Sequence, residues 1–573
     1  MQKCNENAAN RYSYVGEVYS FGERAKKKEI LSSLPKEWRE LHEKGFIHIH
    51  DLDAYGLTYN CLTFDILRDF PYERFVGMSQ TRKIIATFEY LKNLFCDIGN
   101  EQSGGMALAN FDNDIATILQ KLGVELNETN AEIISDSIHQ LIHWCNHTHT
   151  RMGQTSYYVS LNIGLANSEL ARFLAKTLID EFEASGDLVF KPNIIFKVKA
   201  GVNRFGNDPN YDLFKASLLC SAKKMIPTYV LCDSEPNKDV DAEKLAIMGC
   251  RTRVVADLFG ENSSIGRGNI DNISINLPRL ALITEKELPK ATFEEKMRVF
   301  SAKWDEVASL TKDILLDRYR KVCERTSEDF PINKVHHLWK EDFEDIPSVF
   351  RHGTLSIGFI GLSEAIEVLS GKRFYEDAEC YMAAIGFVKH MREYCDFLRG
   401  HYKLNFSLLA TSGELISGRF IDMDAQEFDT EADIFEKGFY TNSFHVPVWF
   451  PISAYDKIRL EAPYHALCNA GHISYVELDG DTARNVEAFE SIVRCMHDFG
   501  IGYGSINHPV DRDPVCGYTG IIGETCPRCG RKAGEGVPVE KLHKLGLYKH
   551  LNAQTLGYAG DPNEEADRMS NPL

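Results

Sequence analysis

Stretches with helical spacing alternate with short apolar runs along most of this chain, and that alternation constrains its fold more than any other feature. Leu31, Leu34, Trp38 and Leu41 recur at helical intervals, so a helix is expected over residues 24–43. Further helices are expected over 79–96, 131–145 and 293–322. The runs 157–162, 188–199, 354–361 and 405–411 read as strands, and Ile273 and Ile275 open another after a flexible loop over 266–272. Helix and strand in repeated succession predict an α/β architecture.

Composition narrows what such a fold does. At 573 residues the chain is long enough for three or four domains or for one large barrel, and 44% hydrophobic residues supply a core. The formal net charge of -19 argues against a general binder of nucleic acid or anionic membrane, which needs a basic face. No apolar run is long enough to span a bilayer, and Met1-Gln2-Lys3-Cys4 opens no signal peptide, so a cytoplasmic location is expected. The 15 cysteines are scattered and odd in number, which points to thiols, metal ligands or redox groups and not to a disulfide framework.

Several of those cysteines sit in unusual settings. Cys250 lies in Met248-Gly249-Cys250-Arg251-Thr252-Arg253. Gly249 permits a sharp turn, and Arg251 and Arg253 offer an anion-holding pair beside the sulfur. The hexapeptide alone fits a catalytic sulfur at a loop tip or an ordinary core thiol at a helix end. Cys61 follows Asn60 in a turn-like setting, and Glu101-Gln102-Ser103-Gly104-Gly105 permits close backbone approach. His48, His50, Asp51 and Asp53 are a metal cluster or a polar network, with the network favoured because strand alternation sets Asp51 apart from the histidines. His139, His143, His147 and His149 lack an HExxH pattern and are expected to be hydrogen-bonded, not metal-ligating.

Near the C-terminus, Cys526-Pro527-Arg528-Cys529 is a CxxC knuckle preceded by Cys516. Three thiolates at this spacing predict a structural metal site over a redox dithiol, with Asp513 or His508 as the fourth ligand.

In their joint order these landmarks resemble the anaerobic, class III ribonucleotide reductases, which are glycyl radical enzymes. The resemblance runs from about residue 10 to the end. It rests on His48-Ile49-His50-Asp51-Leu52-Asp53 with Asn60-Cys61, on Met248-Gly249-Cys250-Arg251, and on Asn276-Leu277-Pro278-Arg279. It rests also on Ser443-Phe444-His445-Val446-Pro447-Val448, on the cysteine knuckle, and on Gly557-Tyr558-Ala559-Gly560-Asp561-Pro562. The resemblance implies a ten-stranded α/β barrel of two antiparallel halves, each of five parallel strands, with finger loops inside. It implies a catalytic domain over 1–505, a zinc knuckle over 506–535, and a radical loop and tail over 536–573.

The implied activity is radical reduction of ribonucleoside triphosphates to deoxyribonucleoside triphosphates. A partner activase with an iron–sulfur cluster and S-adenosylmethionine would install a radical on Gly557, a residue whose lack of a side chain leaves its α-carbon accessible. Cys250 would become the thiyl that takes the ribose 3′-hydrogen, and Cys61 would be the reducing thiol. Formate or a thiol protein would supply electrons. Asn269, Ser412, Glu414, Ser443 and His445 are the implied substrate contacts, and Asp513, Cys516, Cys526 and Cys529 the zinc ligands. A homodimer controlled by ATP and deoxynucleotides is also implied. The sequence departs from the family pattern at Gln554, where an arginine is usual, and at Asp513, where a cysteine is usual. A glycyl radical lyase acting on a small acid or polyol, and a nucleotide-binding relative without a radical, are the competing readings.

Overall fold

The computed structural model describes residues 14–148, 157–185, 189, 191–249, 251–413, 416–428, 433–508, 510–542 and 571. Cys250, Glu414, Gln554 and Gly557 lie outside the described residues, as does His149.

Its centre is one large sheet. In chain order its strands are β1 (Ile47–Ile49), β2 (Cys61–Thr63), β3 (Met106–Leu108), β4 (Val159–Ile163), β5 (Asn193–Val198) and β6 (Thr228–Leu231). Then follow β7 (Arg267–Asn276), β8 (Thr354–Ile360), β9 (Asn405–Ala410), β10 (Ser474–Glu477) and β11 (Tyr503–Asn507). From β2 to β6 every neighbouring pair is parallel. The pairs β7–β8, β8–β9 and β10–β11 are parallel as well. The two runs meet antiparallel at β2–β7 and at β6–β11.

The path would end at β9 and β10, but a parallel bridge between Leu409 and Gly471 joins those ends. Ala410 N–H donates to the Gly471 carbonyl at 3.0 Å, and Ala470 N–H to the Leu408 carbonyl at 2.9 Å. The result is the expected barrel of two antiparallel, five-stranded parallel halves, with β1 added beside β7. Helices such as Gln80–Glu101, Glu169–Ala184 and Ala378–Tyr402 cover the outside, so the parallel strands are buried on both faces.

Local chemistry explains the element boundaries. Ser79, Ser168 and Thr292 each accept a backbone N–H at a helix start, and Thr292 with Glu295 completes a capping box. Asn276 ends β7 and caps helix Leu277–Glu287 by accepting from Arg279 N–H, while Pro278 fits the first turn. Two expectations are corrected. The helix expected over 24–43 is two helices, Tyr14–Ser33 and Lys36–Glu43, because Pro35 lacks an N–H and bars the α conformation at Leu34. The loop expected over 266–272 is the first part of β7, whose Gly268 lets the strand run close against the Cys61 carbonyl.

A separate three-stranded sheet follows, formed by β12 (Val510–Arg512), β13 (Thr519–Gly520) and β14 (Glu540–Leu542). Among the described residues, no helix is long and apolar enough to cross a membrane.

Candidate functional site

A hairpin finger enters the barrel between β6 and β7. Met248 and Thr252 exchange both backbone hydrogen bonds at 3.1 Å, and the chain turns at Gly249, whose φ is +57°. The Asn162 side chain, projecting from β4, holds Ile247 on both sides. Its Oδ1 accepts from Ile247 N–H and its Nδ2 donates to the Ile247 carbonyl, each at 3.1 Å. Thr252 bridges Gly471, and Arg253 N–H donates to the Ala470 carbonyl at 2.7 Å, so the finger is stitched to the same segment that closes the barrel. Gly471 is needed there: a Cβ would strike the Arg251 carbonyl.

The arginines do not form the expected anion-holding pair. The Arg253 guanidinium donates to Asn237 Oδ1 at 3.0 Å and to the Pro236 carbonyl at 2.9 Å, and it does not line the cavity described below. Arg251 Nη1 donates to the Ala410 and Thr411 carbonyls, both at 3.2 Å. Buried guanidinium groups need partners, and here backbone carbonyls and the Asn237 amide oxygen provide them.

Cys61, on β2, is buried and faces the finger. Its thiol donates to Asn60 Oδ1 at 2.6 Å, and its sulfur accepts from Gly105 N–H at 3.3 Å. The glycine pair makes this approach possible. A Cβ on Gly104 would stand 2.7 Å from Cys61 Sγ, and one on Gly105 would stand 3.3 Å from Gly249 Cα.

A cavity of about 560 Å³ opens between these elements, within the range of small-molecule sites. Cys61 lines it together with Gly249 and Arg251, the two residues that bracket position 250. Asn272, Thr411 and Ser412 contribute polar atoms from β7 and the end of β9. At another part of the wall stand His42, His48 and His50, with ring centroids 5.4 and 4.9 Å apart in sequence. Burial pushes His42 down to about 3, with Arg419 and His50 adding to the effect, and pushes His50 down to about 4 against the pull of Asp51. The trio is therefore neutral near pH 7. His50 Nε2 lies 2.8 Å from Ser274 Oγ, which lies 2.8 Å from Thr411 Oγ1. His50 is thus hydrogen-bonded into β7 and the residue that follows β9, and among the described residues no metal-capable cluster includes it.

The sequence-predicted substrate contacts are scattered. Ser412 lines the cavity; Asn269, Ser443 and His445 do not. Asn269 pairs with Cys61 across the β2–β7 ladder, and its amide donates to Thr354 Oγ1 at 2.9 Å. Ser443 is fully buried with φ +35°, and its Oγ lies 3.3 Å from His445 Nδ1. His445 Nε2 lies 2.8 Å from the Ile473 carbonyl, and burial and Arg251 push the ring down to about 3. Sequence reasoning missed Asn162 and Asn272; an amide inside a β-branched strand pattern was the available signal.

In the segments that join the strands of the second sheet, ligand atoms of Asp513, Cys516, Cys526 and Cys529 all lie within 4.8 Å of one another. Cys516 Sγ and Cys526 Sγ are 3.6 Å apart, close to the roughly 3.8 Å edge of a tetrahedron built on Zn–S bonds of about 2.3 Å. Cys529 Sγ lies 3.3 Å from Asp513 Oδ2. Arg531 Nε donates to both Asp513 oxygens, at 2.9 and 2.8 Å, and holds that carboxyl well below the usual carboxylate range. Three soft sulfurs and one oxygen fit a zinc ion. His508, the alternative fourth ligand, is not in the cluster.

Comparison with known proteins gives a consistent result. The family model described as anaerobic ribonucleoside-triphosphate reductase matches residues 6–541. The Escherichia coli K12 protein of that name is 28% identical over 571 residues, covering 92% of this chain and 76% of the relative. The Thermotoga maritima anaerobic ribonucleotide reductase, solved in complex with dATP and CTP, superposes with a TM-score of 0.69 at 16% identity, covering 93% of this chain and 87% of that one. The B12-independent glycerol dehydratase of Clostridium butyricum, in its glycerol-bound form, gives a TM-score of 0.53 at 10% identity, covering 88% and 81%.

Proposed function

This chain belongs to the anaerobic ribonucleoside-triphosphate reductase family, and on that premise we propose that Gly557, Cys250 and Cys61 form its radical relay. The enzyme is an oxidoreductase that reduces ribonucleoside triphosphates, and its family implies a glycyl radical. The radical, once installed, supplies the power to abstract hydrogen. Gly557 is assigned to carry it, Cys250 to take the 3′-hydrogen as a thiyl, and Cys61 to act as the reducing thiol, giving up its hydrogen as the 2′-hydroxyl leaves as water. One observation carries this reading: Cys61 and both residues flanking position 250 line a single cavity inside the barrel. The finger, stitched at Met248, Thr252 and Arg253, and the seat of Cys61 on β2 would bring both relay cysteines to that one cavity.

Ser412, which lines the cavity, is assigned to the substrate's polar groups, and Asn269, Glu414, Ser443 and His445 are assigned supporting substrate roles. Cys516, Cys526, Cys529 and Asp513 would hold a zinc ion that braces the knuckle. The proposed division is a catalytic barrel (1–505, whose last strand runs on to Asn507), a knuckle (506–535), and a radical loop with tail (536–573). An activase using S-adenosylmethionine and an iron–sulfur cluster, formate or a thiol protein as reductant, deoxynucleotide and ATP effectors, a homodimer and a cytoplasmic setting complete the proposal.

Electron paramagnetic resonance after anaerobic activation tests the relay. The protein should give a glycyl doublet that Gly557→Ala abolishes. Cys250→Ser should keep the doublet and lose turnover of nucleoside triphosphates. A doublet surviving Gly557→Ala, or turnover surviving Cys250→Ser, removes the corresponding residue from its role.

A further inference from the structure

The hydrogen bonds around Cys61 run on to a carboxylate that the relay does not use. Asp51 sits at a left-handed turn, φ +43°, ahead of the short 3-10 helix Leu52–Ala54. Its Oδ2 accepts from Asn60 Nδ2 and from Ser103 Oγ, the latter at 3.0 Å. The Asn60 backbone is pinned at both ends: its N–H donates to the Asn269 carbonyl at 2.9 Å, and its carbonyl accepts from Gly104 N–H at 2.7 Å. Asp51, Asn60, Ser103 and Cys61 all line the cavity.

This arrangement removes an ambiguity. A side-chain amide can present either its oxygen or its NH2 to a neighbour. A carboxylate only accepts, so Asp51 commits the Asn60 NH2 to itself and leaves Oδ1 facing Cys61. The thiol must then act as the donor in that pair. An acceptor beside the sulfur favours S–H over thiolate, and it fixes the hydrogen's direction.

We infer that Asp51, acting through Asn60, is a positioning residue that holds Cys61 as an oriented, protonated thiol. The inference rests on the proposed role of Cys61 as the reducing thiol, because that role requires a proton on the sulfur when the 2′-hydroxyl departs. Asp51 lines the cavity and accepts hydrogen bonds from Asn60 and Ser103. Its effect is exerted through which face of one amide meets the sulfur.

The test uses the unactivated full-length protein and iodoacetamide, with alkylation of Cys61 followed by peptide-resolved mass spectrometry at neutral pH. In Asp51→Asn the Asn60 amide is free to turn its NH2 toward the sulfur and favour thiolate. Cys61 alkylation should quicken roughly tenfold, the scale of one such hydrogen bond. After activation, kcat should fall by roughly the same factor with KM unchanged, which separates orientation of the thiol from substrate binding. The exchange Asp51→Asn with Asn60→Asp keeps one amide and one carboxylate and returns an acceptor oxygen to the thiol, so it should restore slow alkylation. That double variant also carries the test if Asp51→Asn alone does not fold.

Wild-type alkylation and kcat in Asp51→Asn, or fast alkylation in the double exchange, would overturn the inference. Cys61→Ser separates this from the underlying assignment. Turnover in Cys61→Ser sinks the reducing-thiol role itself, whereas an inactive Cys61→Ser beside an unaffected Asp51→Asn sinks only the part given to Asp51.

Discussion

A single methyl group at position 104 would stand 2.7 Å from Cys61 Sγ and 2.9 Å from both Asn60 Nδ2 and the Asn60 carbonyl. None of those atoms belongs to a flexible chain end, so the thiol and its amide partner must shift to admit it. Gly104→Ala is therefore expected to cost about 1–3 kcal/mol of stability, as overpacking does, and to lower kcat at least tenfold. Thermal unfolding and turnover of the activated variant measure the two effects separately. Wild-type turnover would show that the exact seat of Cys61 does not matter. At this scale the sequence marked residues without their relations. Gly104 and Gly105 were legible as a place of close approach, but what approaches them is a sulfur from β2 and the finger's Gly249, each distant in sequence.

The elements show the same division. The strands at 354–360 and 405–410 and the helix at 293–323 lie almost where hydrophobic period places them, because period reports burial of a face and these elements bury one. The C-terminal knuckle was legible from spacing alone, since CxxC brings two sulfurs together locally. The structure adds Arg531, whose two hydrogen bonds neutralise Asp513 where a fourth thiolate would otherwise add charge. If the cluster holds zinc as proposed, elemental analysis should find about one zinc per chain in the wild type. Cys526→Ser with Cys529→Ser should lose it, while the barrel's unfolding midpoint stays close to wild type because the knuckle belongs to a separate sheet. Zinc retained by that double variant would place the metal elsewhere.

The whole molecule carries a pH dependence that follows from burial. Glu364, in the first turn of helix Leu362–Ser370, is 7% exposed. Its Oε1 accepts from Thr441 N–H at 2.9 Å and from Thr441 Oγ1, yet burial outweighs these bonds and pushes its pKa from 4.5 up to about 7. The folded value exceeds the unfolded one. Between pH 4.5 and 7 the native state thus binds more protons, and this group makes stability fall as pH rises through that window. Glu364→Gln should remove that slope, gaining about 3 kcal/mol on the wild type between pH 4 and pH 8. Chemical denaturation at both pH values measures it, and parallel curves for the two proteins would contradict the assignment.

By itself the sequence determined the α/β class, the kinds of chemistry available and the residues that announce a family. These depend on local period, on spacing within a few residues and on the order of short motifs. It did not settle which polar residues share a cavity, or that Arg253 turns away from it. Only the closed barrel decided those, because closure pairs Leu409 with Gly471 and ties the finger to that seam. That residues 61, 104, 249 and 411 line one cavity follows from closing the strands around a cylinder, which no local pattern encodes. The motif His48 to Asp53 shows the difference most plainly. Its spacing allowed a metal site, and its fold made it a neutral histidine wall at one end and, at Asp51, a carboxylate set two hydrogen bonds from the Cys61 thiol.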